Sequence, residues 1–353
     1  MNKKEIFKKI LKYYLFSRIF LIFLMIVDNF LLGTKYPNIP SIFYVWDGEH
    51  YLTIAEDGYI FDYLYAFFPT IPLLIRYLGK ILFLIINQVC VISTCYTLYL
   101  ISTKHLKLKN PYSPILFFLL SPIAITTMLF YTEAIFLFLT TLTYYLYKEK
   151  KYFFIIGLLL GLCSTIRSTG SIFFFSLFII MVIDWIKKRI KLKNIIITYI
   201  PATIISCTYP IYLYLTTGNP FKFIEVQEHW LKKSSNIIRL LYDVIVQTIN
   251  EFGILWTINS ILTIILMGYL IKYIIKNRKE KTYYDFYIYI LMTIFIISFT
   301  IKGNGDPLTS YYRYLFACFP IYFIFKDKLK NYVIMGSITI LITNFFLMSS
   351  YFF

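Results

Sequence analysis

The sequence predicts an all-α integral membrane protein, a multispanning bundle of about eleven helices at the ~20-residue length that a bilayer core requires. Three observations carry this. Of the 353 residues, 59% are hydrophobic and 15% charged, with a mean hydropathy of +0.69, whereas soluble domains are about half apolar and a quarter charged. Apolar runs of span length recur along the whole chain, where a membrane barrel would show alternating segments of about ten residues. Lys and Arg gather in short clusters between the runs, alternating with connections that carry acids, as the positive-inside rule expects. The net charge of +17 therefore reads as topology, and the placement of the basic clusters argues against nucleic acid as a partner.

Taken in order, Lys3, Lys4, Lys8, Lys9 and Lys12 put the N-terminus in the cytoplasm, before a first span over about 13–32. That run is too long for a signal-peptide core and lacks a small-residue cleavage site, so it reads as a retained span. The connection 33–68 is then external and holds Asp47, Glu49, Glu56, Asp57 and Asp62, with Lys35 its lone basic residue. Region 69–103 returns to Lys104, Lys107 and Lys109. It is long for one span, and Pro69, Pro72 and Arg76 mark its first part as a short interfacial helix. Segments 113–128 and 131–147 form the next pair, joined at Tyr131-Thr132-Glu133 and ending at Lys148. Segments 152–166 and 169–186 follow, joined at Arg167-Ser168-Thr169-Gly170 and ending at Lys187, Lys188 and Arg189.

A span over about 195–216 leads to a second external loop, 217–251. The chain returns to Lys272 and Lys276, runs outward over 284–301 to Gly303-Asn304-Gly305-Asp306-Pro307, returns to Lys326 and Lys328, and ends in a span over 331–350. The whole of 1–353 reads as a single polytopic membrane domain. Five cysteines, Cys90, Cys95, Cys163, Cys207 and Cys318, lie in apolar runs and read as small core residues, with no disulfide framework or metal spacing.

Every conspicuous polar motif falls on the outer side of this topology. In Trp46-Asp47-Gly48-Glu49-His50-Tyr51, Asp47 can accept a proton from a hydroxyl nucleophile. A helix over 48–56 would set Asp47, His50 and Tyr51 on one side, at spacings of three and four, and turn Glu49 away. The structural alternative makes Asp47 a helix N-cap and Trp46 and His50 interfacial-belt residues. Glu133 sits between two spans with almost no loop, where an acid is costly unless paired or wet; capping the next helix is its alternative role. Arg167 stands between two apolar segments and calls for an anion. A lipid-linked phosphate, aided by N–H groups of the following helix, would serve, as would a structural pair with an acid such as Glu133. In the second loop Gln227 and Trp230 are typical sugar contacts and equally ordinary loop residues. Arg313 either meets phosphate or snorkels to the interface. Asp47 and Glu49 could hold a divalent ion with Asp306 or Glu133, but the spacing is unspecific, so no metal site is assigned. No nucleotide-loop, zinc-protease or hydrolase-elbow motif occurs.

Together, Trp46-Asp47-Gly48-Glu49-His50-Tyr51, Phe67-Phe68-Pro69, Ser121-Pro122, Tyr131-Thr132-Glu133, Arg167-Ser168-Thr169-Gly170, Gly218-Asn219-Pro220-Phe221 with Gln227 and Trp230, and Arg313-Tyr314 before Phe319-Pro320 occur in one order. This set resembles the PIG-V family, GPI mannosyltransferase 2 and its prokaryotic relatives, from about 41 to 322. It departs at Thr70-Ile71, Asn219 and Tyr312. The resemblance implies the GT-C fold with its active site on the non-cytoplasmic face. It implies a polyprenyl- or dolichyl-phosphate mannose donor and inverting transfer to a hydroxyl of a glycolipid or surface glycan, a GPI precursor in a eukaryote. The lipid-phosphate sugar is then a substrate and no cofactor is expected. By the same resemblance Asp47 is the catalytic candidate, and Arg167 and Arg313 are donor-phosphate candidates. The reading of the residues themselves adds His50 as a second catalytic candidate and Trp46, Tyr51, Glu133, Gln227 and Trp230 as candidate substrate-binding residues. The membrane would be the cell membrane in a prokaryote and the endoplasmic reticulum in a eukaryote; the residues name no protein partner. A transporter or flippase for a lipid-linked or anionic solute is the rival class, and a noncatalytic assembly subunit a second rival. A transporter needs polar groups reachable from both sides, whereas these motifs favour one.

Overall fold

A computed structural model describes residues 2–31, 43–230, 232–234, 242, 246, 254–302, 308, 311–325 and 329–349, and over these the chain is almost wholly helical. The helices in order are α1 (Lys3–Leu31), α2 (Asp47–Asp57), α3 (Thr70–Leu78), α4 (Lys80–Leu100), α5 (Ser113–Leu119), α6 (Ile123–Thr126), α7 (Glu133–Lys148), α8 (Phe153–Ile166), α9 (Thr169–Ile186), α10 (Leu192–Ser206), α11 (Thr208–Thr217), α12 (Lys222–Glu225), α13 (Ile254–Asn277), α14 (Tyr284–Ile297), α15 (Tyr311–Ala317), α16 (Ile321–Ile324) and α17 (Leu329–Ser349). Lys232–Ser234 and Thr300–Lys302 pair as a short antiparallel ribbon.

Among the described residues five helical stretches are long and apolar enough to cross a membrane: Lys3–Val27, Lys80–His105, Thr169–Ile186, Leu192–Thr217 and Ser260–Asn277. Several of the other expected spans are shorter or broken, while α17, at 21 residues, is continuous. α8 and α14 each have 14 residues, about 21 Å of helix at 1.5 Å per residue, against a hydrocarbon core of ~30 Å. Segment 113–128, expected as one span, is α5 followed by bends and the single turn α6. The expected break in 69–103 is found at Gly79, between α3 and α4. The expected loops 33–68 and 217–251, and the turn Gly303-Asn304-Gly305-Asp306-Pro307, lie wholly or partly outside the described residues, as do Lys35, Asp306, Lys326 and Lys328.

The chain divides into two compact units. One comprises Met1–Gly58, Ile71–Glu149 and Phe325–Phe353, and the other Tyr59–Thr70 and Lys150–Ile324. In the first, α4 packs on α7, and α1 lies against α4, α5 and α17. Its core beside α2 joins Leu21, Leu24 and Met25 of α1 to Val45, Ala124, Ile125, Met128, Leu129 and Tyr131. In the second unit α8 is flanked by α9 and α10, and α9 also meets α14. α8 approaches α10 closely because a Cβ on Gly157 would stand 2.2 Å from the Thr198 carbonyl oxygen, so only glycine fits. An aromatic layer of Phe173, Phe286, Tyr289 and Phe319 lies inside this unit. Cys90, Cys95, Cys163 and Cys318 are buried as expected, but Cys207, at the joint between α10 and α11, is exposed.

Candidate active site

The first cluster begins at the turn that launches α2. The Gly48 N–H donates to the Val45 carbonyl at 3.1 Å, with Trp46 at φ 53°, ψ −124°. These are the angles of the first central residue of a type II′ turn, a position that glycine normally fills. Asp47 is thus the first residue of α2 rather than its N-cap, and Trp46 takes the cap position with no side-chain cap bond. The difference has a physical reason: the backbone reversal is made by the turn at 45–48, so the carboxylate is not needed to start the helix. Asp47, His50 and Tyr51 follow at spacings of three and four on α2. Tyr51 is buried, Asp47 and His50 are half-buried, and Glu49 is exposed.

The turn is seated on the segment that leads into Glu133. A Cβ on Gly48 would meet the Phe43 carbonyl oxygen at 3.2 Å and the Phe130 Cβ at 3.5 Å. The Phe130 N–H donates to the Phe43 carbonyl (3.4 Å) and Tyr131 Oη to the Val45 carbonyl (3.2 Å). Tyr44 stacks on Phe130 with centroids 5.2 Å apart. Glu133 opens α7, Thr132 holds its N-cap position, and the Thr132 hydroxyl donates to Glu133 Oε2 at 3.4 Å. Glu133 is 0% exposed. A carboxylate at the first helical position gains from the positive end of the helix dipole, whereas full burial of a charge is costly unless it is paired.

The second cluster belongs to the other unit. Arg167 breaks the chain between α8 and α9 in an extended conformation, φ −162°, ψ 156°. The Gly170 N–H donates to the Arg167 carbonyl at 2.8 Å, closing the turn. The guanidinium is buried and lies 5.6 Å from the centre of the Tyr314 ring. Arg313, the preceding residue on α15, is also buried. Arg167 thus reaches the ring of Tyr314, the residue that follows Arg313 in α15. Thr169, at the first turn of α9, is buried with its hydroxyl unbonded among the described residues.

The loop after α11 forms its own group in this unit. Gln227 Nε2 donates to the Phe223 carbonyl at 3.0 Å, so its amide is engaged in local structure. Trp230 stands edge-on to Tyr63 and Phe67 at 5.9 and 5.7 Å, and Tyr63 stacks on His229 at 4.6 Å. Lys222 Nζ bridges Asp62 and Glu225 at 2.9 and 2.8 Å. Asn219, at a departure from the family motif, accepts the Phe221 N–H and donates to Glu225 Oε2. Lys222 is held above the ordinary lysine range by Glu225 and then Asp62. Glu225 is held below the ordinary carboxylate range by Lys222 and then Asn219.

Asp47, His50, Tyr51, Trp46 and Glu133 thus belong to one unit, and Arg167, Arg313, Gln227 and Trp230 to the other. Among the described residues no group of three or more His, Cys, Asp or Glu side chains has metal-holding geometry. The sequence reading named Tyr314 only within its motif and did not single out Arg18, which is buried in α1. Arg18, a lone charge in an apolar run, carried the signal that such residues are functional by default.

Fold and clusters define a polytopic helical membrane protein with an acid at each of two helix starts and two buried arginines, Arg167 and Arg313. Over 142 residues, 35% of its length, the chain is 32% identical to "GPI alpha-1,6-mannosyltransferase 2" of Rattus norvegicus and to the protein of the same name from Cricetulus griseus. The similarity is confined to the matched residues. The match covers 29% and 28% of the two relatives, so the chain spans less than a third of the length of the curated relatives it matches. No family model and no solved structure matches it.

Proposed function

We propose that this chain is a membrane glycosyltransferase that moves mannose from a polyprenyl- or dolichyl-phosphate carrier to a hydroxyl of a glycolipid or surface-glycan acceptor on the non-cytoplasmic face. The observation that carries the reading is the 32% identity over 142 residues to two mannosyltransferases. The chemistry of the two clusters supports it. A half-buried carboxylate, Asp47, suits removal of the acceptor proton, and the buried pair Arg167 and Arg313 suits a phosphate.

In the proposed step the acceptor oxygen attacks the anomeric carbon of the donor and Asp47 takes its proton. The bond from that carbon to the phosphate oxygen breaks with inversion, and the lipid phosphate leaves with the electron pair. Arg167 and Arg313 neutralise the charge that develops on it, as preorganised cations do at phosphoryl leaving groups. Glu133, as a buried acid, orients the sugar hydroxyls by hydrogen bonding.

The test reconstitutes the chain in vesicles with polyprenyl-phosphate carrying labelled mannose and a glycolipid fraction. Label in a new glycolipid, with release of polyprenyl phosphate, is expected. Donor moved across the bilayer and recovered intact would instead establish the transporter reading.

A further inference from the structure

Between α5 and α7 the chain runs through residues 120–132 with one helical turn, and residues 121–132 are all buried. Buried backbone outside a regular helix needs partners for its polar groups. Here side chains of other helices supply them. Ser17 Oγ donates to the Leu119 carbonyl at 2.8 Å and Arg18 Nη1 to the Ala124 carbonyl at 3.0 Å. Arg18 Nη2 reaches Thr127 Oγ1, Gln88 Nε2 the Thr127 carbonyl and Asn87 Nδ2 the Leu129 carbonyl, each at 3.0 Å. The Thr339 hydroxyl caps the Leu120 carbonyl. Among the described residues the Arg18 guanidinium meets no carboxylate; it bonds these two groups of one bend and lies 5.2 Å from the Tyr14 ring. A buried charge is expensive in a bilayer, and its use here is to fix a backbone conformation.

That backbone ends at the site. Beyond Leu129 come Phe130 and Tyr131, which hold the Phe43 and Val45 carbonyls of the turn before Asp47, and then Glu133 itself. We infer that Arg18, with Asn87 and Thr127, is a positioning device for the Asp47 turn, acting through the 120–132 bend. The catalytic part of this inference rests on the mannosyl-transfer reading.

The experiment uses the full chain labelled with 5-fluorotryptophan, whose four tryptophans give four fluorine resonances, with Trp46 assigned by W46F. Arg18→Lys and Thr127→Val should each move the Trp46 resonance and leave those of Trp185, Trp230 and Trp256 in place. They should lower kcat roughly 10- to 100-fold, the scale of an ångström's misplacement, with donor KM within about twofold. Thr127→Ser, which keeps the hydroxyl, should match the parent in both readouts. A stationary Trp46 resonance in Thr127→Val overturns the inference, as does a shift of all four resonances together. If Arg18→Lys fails to fold, Thr127→Val decides alone. If the parent chain transfers no mannose, the mannosyl-transfer reading fails, and the Trp46 resonance still decides whether the bend positions the turn.

Discussion

Gly170 rests its Cα on the carbonyl of Cys163: a Cβ there would lie 2.0 Å from the Cys163 oxygen and 2.4 Å from its carbon. Both obstacles are backbone, so neither can swing aside, and Arg167 lies on the two-residue path between α8 and α9. Gly170→Ala must therefore push the two helices apart. Overpacking of this kind costs about 1–3 kcal/mol. The expected result is a lower unfolding temperature in detergent together with loss of donor binding, because the backbone that presents Arg167 moves. An alanine variant with parental stability and parental donor affinity would show that the close approach does not set the site.

Arg167 lies 5.6 Å from the centre of the Tyr314 ring, one residue from Arg313. A guanidinium offers a planar fork that grips a phosphate and stacks on an aromatic face, whereas lysine keeps the charge and loses both. Arg167→Lys should weaken binding of a lipid-phosphate donor, and Tyr314→Leu should weaken it less, by about 0.5–2 kcal/mol, the range of a cation–π contact. Titration with a non-hydrolysable donor analogue measures both. Equal affinity in parent and Arg167→Lys would remove Arg167 from the donor site.

Most of what was legible in the sequence came from long-period signals. Apolar runs located the helices, and the Pro69, Pro72 and Arg76 punctuation marked the break before α4. The motif at 46–51 pointed to α2, although Asp47 proved to be its first residue and not its cap. What was not legible depends on partners distant in the chain. Segment 113–128 reads as one span because its apolar run outweighs Ser121-Pro122, the one local sign of a break. That bend is held by Ser17 and Arg18, over 100 positions away, and a local pattern cannot encode it. The closeness of Arg167 to α15 is a tertiary fact of the same kind. The Gln227 amide on the Phe223 carbonyl is a different case, a local bond four residues back that the sequence left open.

The Lys222 group gives a pH dependence whose signs are opposite at its two ends. Glu225 is depressed, so its contribution to holding the loop is present above its ordinary value of 4.5 and is lost as pH falls through the lowered one. Lys222 is raised, so its contribution is full below its ordinary value of 10.5 and is lost only as pH rises through the raised one. The loop at 219–229 should therefore be equally protected across neutral pH and loosen in acid. Hydrogen exchange of these amides, corrected for intrinsic rates, reads this. Since Glu225 is exposed, the change should be local and leave global unfolding in place. Lys222→Met should move the acid transition upward, and an unmoved transition would count against the bridge.

Trp46 occupies a backbone conformation, φ 53°, ψ −124°, that suits glycine and strains a side chain by about 1–3 kcal/mol. The usual ranking favours alanine over glycine in folded structure. Here it should invert. Trp46→Ala and Trp46→Gly both lose the indole, which packs against the core that includes Val45 and Tyr131, but only glycine releases the strain. Thermal unfolding should find the glycine variant the more stable of the two. If alanine is the more stable, the turn at 45–48 is not the strained one described.

Asp47 and Glu49 stand two residues apart on α2 and separate a catalytic role from a merely acidic one. Asp47 is half-buried on the same side of the helix as His50 and Tyr51, and Glu49 is exposed. Asp47→Asn preserves shape and hydrogen bonding but cannot take a proton, so mannosyl transfer should fall about 10²- to 10⁴-fold, the usual worth of a positioned general base. Because the removed interaction forms with the acceptor proton in flight, the loss should appear in kcat with donor KM nearly unchanged. Glu49→Gln removes the same unit of charge at almost the same place and should keep parental turnover. Equal losses in the two variants would mean that the loop acts through its net charge, and full activity in a folded Asp47→Asn protein would transfer the proton to another acid, with buried Glu133 the next to change.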